Sequence, residues 1–275
     1  MRQRLPLLLF SREYPAIANY LRRDTAIPSA SRTFSIPGPA SPQSKSTDSP
    51  ISITLHEPSL TADNLGHKTW VASYLLAKRL LHLLPSLPVL CTLSGISAND
   101  INIRKPRILE LGAGTGLVGI AAAALFHAHV HLTDLPDILP NLLANVCSNE
   151  TLFEHSGGSA SAGVLDWSDL PLNVDDEEKY NVILAADPLY SPQHPPWLVQ
   201  AIGKYLKQQK EARVVIELPL REAYAPEIED LKCRMEGLGL QKIAQGEESG
   251  FDDWAHGMER QAVACWWAVW AWASQ

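Results

Sequence analysis

The sequence predicts an α/β protein built on a doubly wound, mainly parallel sheet with a C-terminal antiparallel hairpin. Three observations lead there. From about residue 106 apolar strands and helices alternate at regular lengths; the first of those strands runs into a glycine turn; and the last two extended segments follow one another without a helix between them. Repeated strand–helix units need crossover connections and hence parallel strands, whereas consecutive strands without a crossover pair antiparallel.

The units run in order. Strand 107–111 leads to helix 116–126, strand 128–133 to helix 137–147, strand 181–186 to helix 195–207, and strand 213–218 to helix 222–236. A short strand at 163–165 belongs to the series, after a Ser/Gly-rich loop at 148–162. Strands 240–245 and 261–272 close the sheet around a loop at 246–259, and alternation places Trp266, Trp270 and Trp272 on one face with Trp267 on the other. Upstream, residues 51–55 alternate as a strand does. Gly66 then precedes a helix whose apolar stripe reads Trp70, Tyr74, Ala77, Leu81 and Leu84, ending at Pro85.

Three regions are expected: an N-terminal helical arm over 1–26, a Pro/Ser-rich linker over 27–50 too poor in apolar residues to fold alone, and one domain over 51–275. The arginine bias of the first 45 residues suits a basic helix around 14–23 or a mitochondrial presequence. A net charge of −7 argues against bulk binding to nucleic acid or anionic membrane. No segment reads as a membrane span. Cysteines 91, 147, 233 and 265 form no Cys-x-x-Cys pair, so neither a disulfide framework nor a zinc site is expected. A monomer in the cytoplasm, with nucleus and mitochondrion left open, is the expectation.

Ligands of open parallel sheets bind beyond the carboxyl ends of the strands. Those ends carry Glu110 with the turn Gly112-Ala113-Gly114-Thr115-Gly116, then Asp134, then Asp166-Trp167, then Asp187. Glycines let the backbone approach a ligand closely. Asp134 is placed to accept ribose hydroxyls, although Asp134-Leu135-Pro136 also reads as a helix cap. Gly114-Thr-Gly116-Leu-Val-Gly119 also fits a dinucleotide fingerprint, but an acid directly before the first glycine is awkward beside a pyrophosphate. Trp70 and Trp167 are open between core packing and ligand contact. Asp187 is expected to be held extended by Pro188, with a structural turn as its other role. His127, His129 and His131 would share a strand face at a spacing that can chelate a metal, and Glu217 with Arg221 would form a charge pair bordering the substrate opening. The acidic run 175–178 reads as a solvated loop.

Four motifs in order, Glu110-Leu-Gly-Ala-Gly-Thr-Gly116, Leu132-Thr-Asp-Leu-Pro136, Leu165-Asp-Trp167 and Ala186-Asp-Pro-Leu-Tyr190, resemble those of seven-strand S-adenosylmethionine-dependent methyltransferases. More narrowly they resemble the family 16 protein-lysine methyltransferases, and Gly66-His-Lys-Thr-Trp70 matches the tryptophan segment preceding the core in that family. The resemblance spans about residues 51–272 and implies a Rossmann-like sheet of seven strands. It implies S-adenosylmethionine as cofactor, with Gly112, Ala113, Gly114 and Gly116 around its methionine part and Glu110 facing its cationic amino acid. Asp134 and Leu135 would meet the ribose, Trp167 the adenine, Trp70 the pocket wall and Ala186 the floor near the methyl group, with no metal. Asp187 would orient the incoming lysine amine and Tyr190 wall its channel; Pro188 stands where the family more often has an aliphatic residue. The implied partner is a protein substrate, with translation elongation factors as candidates. A small-molecule N-methyltransferase and a non-catalytic cofactor-binding scaffold are the rivals.

Overall fold

The computed structural model describes residues 28–39, 50–59, 65–91, 105–252 and 261–273. Its centre is a seven-stranded sheet of β3 (Arg107–Leu111), β4 (His129–Asp134), β5 (Ser159–Val164), β6 (Val182–Ala186), β7 (Arg213–Pro219), β8 (Leu240–Asp252) and β9 (Gln261–Trp272). The spatial order is β5-β4-β3-β6-β7-β9-β8. Strands β3 to β7 pair parallel, and β9 pairs antiparallel with both β7 and β8, as expected from the missing crossover helix.

Helices cover both faces. One core holds α1 (Val71–Leu83), α2 (Pro88–Cys91) and α3 (Leu117–Phe126), and α4 (Leu139–Ser148) and α5 (Glu150–Ser156) also pack into it. The other holds α6 (His194–Tyr205) and α7 (Ala225–Gly237). Every residue of α3 is buried, which explains a helix that is apolar all round. The tryptophans of β9 divide as alternation requires: Trp266, Trp270 and Trp272 join the second core, and Trp267 packs against the first.

The described part of the expected linker, residues 28–39, contains a strand. Residues Ala30–Ile36 form β1, which pairs antiparallel with β2 (Ile51–Glu57) along its whole length. Within the Pro/Ser-rich background, Arg32-Thr-Phe-Ser-Ile36 alternates. Ile36 is fully buried and Phe34 lies 5.8 Å from Tyr74 of α1, so the hairpin shares the domain core instead of tethering it. The expected helical arm over 1–26 lies outside the described residues.

Three further elements differ. The α1 stripe is rotated: Ala72, Leu76, Leu80 and Leu83 are buried with Ala77, whereas Tyr74, Leu81 and Leu84 are half-buried, because α1 packs against both the sheet and β1. The expected loop 148–162 contains α5, ended by Gly157 at φ 71°, and most of β5. Small residues give β5 little strand propensity of its own, and its pairing with β4 supplies the order. Finally, β8 runs on to Asp252 instead of stopping at residue 245.

The chain leaves β3 toward β4 and β5 on one side and returns through β6 on the other. The crevice for a ligand therefore opens where β3 and β6 part, at their carboxyl ends.

Candidate active site

β3 delivers its carboxyl end into a turn whose amides are already organised. Gly112 and Ala113 both donate to Thr133 O on β4, at 3.0 and 2.9 Å. Gly114 donates to Asp134 Oδ2 at 2.7 Å. Gly112 at φ 71° and Gly114 at φ 56° occupy the left-handed region. A Cβ on Gly112 would come within 3.2 Å of the Trp167 ring, and one on Gly114 within 3.0 Å of Gly66 O. Bare backbone is thus required where Trp167 from one side and the 65–70 segment from the other close over the turn.

Asp134 does not cap α4, whose N-cap is Ile138. Its Oδ1 accepts the Leu135 amide at 2.7 Å while Oδ2 holds Gly114. Burial pushes its carboxyl above the ordinary range, opposed by those two amides and by His67. Each oxygen has one backbone donor, which leaves lone pairs for ribose hydroxyls. Beside it Leu135 is 48% exposed, an apolar surface suited to cover a ribose or base. These residues fit an adenosyl group. They suit a dinucleotide less well: the turn amides of Gly112, Ala113, Gly114 and Gly116 are spent on protein acceptors, the Gly114 amide on the Asp134 carboxylate.

Glu110 is held beneath the turn. Its side chain turns under the loop, is 2% exposed, and its Oε2 accepts the Gly119 amide in the first turn of α3 at 2.8 Å. A Cβ at Gly119 would meet that oxygen at 2.4 Å, so Gly119 makes room for the carboxyl. Burial pushes Glu110 up to about 8. In this position the Glu110 carboxyl ties the glycine turn to the first turn of α3.

Asp187 follows β6 at φ 51°. The expectation that Pro188 holds it extended is therefore corrected: the backbone turns through the left-handed region, which Asp visits more readily than most residues. The side chain is 2% exposed, and Arg221 Nη1 lies 3.3 and 3.4 Å from its two oxygens. Arg221 Nη2 lies 3.3 Å from Asp252 Oδ2, and Asp252 Oδ1 accepts the Val71 amide at the start of α1. The guanidinium sits 5.4 Å from the Trp70 ring centre. Burial raises Asp187 to about 6; Arg221 opposes the shift and Asp252 adds to it.

Trp70 is 4% exposed and donates Nε1–H to Leu65 O at 3.0 Å, so it packs inside the segment that covers the turn. Trp167 is half-buried, against bare Gly112 on one side and edge-on to His194, 6.1 Å away, on the other. Ala186 is 7% exposed in the floor between β3 and β7. Tyr190 stands edge-on to His194 at 5.9 Å, and burial holds its phenol well above the ordinary range.

Several expectations dissolve in the structure. Glu217 and Arg221 do not pair: Glu217 is fully buried, its oxygens reach no hydrogen-bond partner among the described residues, and burial with the nearby Glu248 pushes it up to about 9. The histidines also separate. His127 ends α3 in the left-handed region, while His129 and His131 pair with Ser159 and Ser161 at 2.9 Å. Among the described residues no group of three His, Cys, Asp or Glu is placed to hold a metal.

Sequence reasoning missed Asp252, which lay in a segment expected to be loop, and His194. The His194 Nδ1 lies 3.0 Å from the Tyr190 amide and 3.1 Å from Pro188 O, serving one at a time, and so pins the loop that carries Asp187 and Tyr190. Its spacing four residues after Tyr190, at the start of a helix, was the available signal.

The geometry can be set beside known proteins. The chain is 40% identical over 213 residues to the protein-lysine N-methyltransferase EFM2 of Saccharomyces cerevisiae, covering 74% of this chain and 48% of that protein. It is 35% identical over 248 residues to the protein-lysine N-methyltransferase rrg1 of Schizosaccharomyces pombe, covering 88% and 74%. EEF1A lysine methyltransferase 3 of Xenopus tropicalis is 33% identical over 102 residues, covering 37% and 42%. The chain thus spans about half the length of the yeast relative EFM2. The solved structure of a candidate RNA methyltransferase from Pyrococcus horikoshii shares the fold at a TM-score of 0.51 and 14% identity, covering 75% of this chain and 88% of that one. A family model described as lysine methyltransferase matches residues 49–225, a stretch that contains the glycine turn, Asp134, Asp187 and Arg221 alike, and by that match the chain belongs to the lysine methyltransferase family.

Proposed function

We propose that this protein transfers a methyl group from S-adenosylmethionine to a lysine side-chain amine of another protein. One observation carries the reading: the stretch from Trp70 to Arg221 falls inside the lysine methyltransferase match, and within it the glycine turn, Asp134 and Asp187 stand at the carboxyl ends of β3, β4 and β6.

When bound, S-adenosylmethionine supplies an electrophilic methyl group. The chain does the rest by positioning. Asp134 receives ribose hydroxyls on the lone pairs left by Gly114 and Leu135, and Leu135 and Trp167 supply apolar cover for the adenine. Gly112, Ala113, Gly114 and Gly116 admit the methionine part, with Trp70 behind them and Ala186 as floor. Asp187 accepts an N–H of the incoming amine and so fixes the direction of its lone pair, and Tyr190 walls the approach. Arg221 holds the Asp187 carboxylate in place. Water removes the ammonium proton before docking, because a carboxyl titrating near 6 is a weak base toward an amine.

Translation elongation factors are the first substrates to test, given the name borne by the frog relative. The chain works as a monomer in the cytoplasm, and its charge of −7 suits a basic protein surface better than a nucleic acid. No helix among the described residues is long and apolar enough to cross a membrane. Calorimetry with S-adenosylmethionine and with NADH tests the cofactor: binding of the first alone supports the reading, and binding of NADH alone refutes it. Incubation with labelled S-adenosylmethionine and cell lysate then separates a labelled protein band from a labelled small molecule or from binding without transfer.

A further inference from the structure

The N-terminal hairpin is stitched to the glycine turn. Two asparagines one helical turn apart on and just after α4, Asn145 and Asn149, present their amides to alternate residues of β2. Asn149 Oδ1 accepts the Thr54 amide at 3.1 Å and its Nδ2 donates to Thr54 O at 2.8 Å. Asn145 Oδ1 accepts the His56 amide at 2.8 Å and its Nδ2 donates to His56 O at 3.1 Å. Each side chain thereby stands in for a neighbouring strand. They differ in their third bond: Asn145 Nδ2 also donates to Thr115 O, in the middle of the turn, at 2.9 Å, whereas Asn149 Nδ2 donates to Asn145 O within the helix at 2.8 Å.

A second line reaches the same residue. Glu57, at the end of β2, accepts the Thr69 amide on Oε1 at 3.0 Å, with Lys68 at 3.7 Å and Arg32 of β1 at 3.6 Å. Thr69 Oγ1 meets Thr115 Oγ1 at 2.7 Å. Thr115 is therefore held by its carbonyl and its hydroxyl, and both lines run back to the hairpin. Asn145 is 1% exposed and Thr115 2%, so water is a poor substitute for either contact.

We propose that the paired strands β1 and β2 are a clasp for the cofactor turn, and that Asn145 is a positioning residue that sets the conformation of Gly114-Thr115-Gly116 through Thr115. This rests on the reading of that turn as the S-adenosylmethionine site. Part of the clasp, β1, lies upstream of the stretch matched by the family model. Glycine at 114 and 116, free to take positive or negative φ, lets this stretch of backbone shift once its supports are removed.

The two asparagines provide a matched pair for the test. Asn145→Ala and Asn149→Ala each remove two hydrogen bonds to β2, but only the first releases Thr115. Calorimetric titration with S-adenosylmethionine is expected to give a dissociation constant raised about tenfold for Asn145→Ala, and changed by less than about twofold for Asn149→Ala. Amide hydrogen exchange without ligand is expected to accelerate at residues 114–116 in the first variant only. Thr69→Val, which keeps the backbone bond to Glu57 and removes only the hydroxyl contact, is expected to weaken binding in the same direction, and gives the answer should Asn145→Ala not fold. Equal losses of affinity in both asparagine variants, or Thr69→Val binding as the unmodified chain does, would overturn the proposal alone. Failure of the unmodified chain to bind S-adenosylmethionine would overturn the reading beneath it as well.

Discussion

Arg221 holds Asp187 from the neighbouring strand end, with Nη1 3.3 Å from Oδ2 and both residues almost fully buried. The same guanidinium reaches Asp252 at 3.3 Å, so one cation is shared by two buried carboxylates. Removing it would leave both acids facing each other in a poorly solvated place. Arg221→Met is expected to lower stability by about 3–5 kcal/mol, as breaking a buried ion pair does. Urea unfolding measures this, and a loss below about 1 kcal/mol would mean that the pair is far better solvated than its burial implies.

The same pair predicts the pH dependence of methyl transfer. Only the free amine attacks, so the logarithm of the rate should climb by about one per pH unit through the neutral range. Below about 6 Asp187 takes up a proton, loosens its hold on Arg221 and becomes a weaker acceptor for an amine N–H, so the slope should steepen. Initial rates between pH 5 and 8 would show the break, and Asp187→Asn should abolish it. A break surviving in that variant would assign it to another group.

Glu217 offers a test of the core. Its carboxyl titrates near 9 in the folded protein against 4.5 for the free group. The folded state thus keeps a proton that the unfolded chain gives up, and the contribution of this group to stability is full below 4.5 and lost as pH rises toward 9. The slope is on the order of 1.4 kcal/mol per pH unit inside that window. Glu217→Gln carries no such proton. Its unfolding free energy relative to the unmodified chain should therefore increase steadily between pH 5 and 8, and a pH-independent difference would show that Glu217 is not buried as a neutral acid.

Much of this molecule was legible in its sequence. The strand–helix rhythm, the antiparallel finish and the division of the tryptophans along β9 followed from periodicity, because a period of two and a strand without a crossover each leave few alternatives. The glycine turn was legible for the same reason: its demand on the backbone is local. What could not be read was whatever depends on a distant partner. β1 looked like linker because its order comes from β2 and α1, and β5 looked like loop because its order comes from β4. The bond from Gly119 to Glu110 was not legible either, because a strand position does not say which way a side chain turns, and Gly119 had opened a space for the carboxyl beneath the loop. Asp252 meets Asp187 only through Arg221, across residues far apart in the chain.

Glu110→Gln tests whether Glu110 supports the turn or faces the cofactor. Glutamine keeps an oxygen for the Gly119 amide and carries no charge, so affinity for S-adenosylmethionine should fall by less than about fivefold if Glu110 is a protonated support of the turn. A counter-charge for the cofactor's ammonium would be missed far more. A loss beyond about a hundredfold in calorimetry, with stability unchanged, would return Glu110 to the ligand.

The central claim is the acceptor, a lysine on another protein. Purified translation elongation factor incubated with this chain and S-adenosylmethionine, digested and examined by mass spectrometry, tests it most directly. The account predicts methyl groups on a lysine side chain, absent when Asp134→Ala replaces the unmodified chain. Methyl groups on a residue other than lysine, or lysine methylation unchanged by Asp134→Ala, would contradict it.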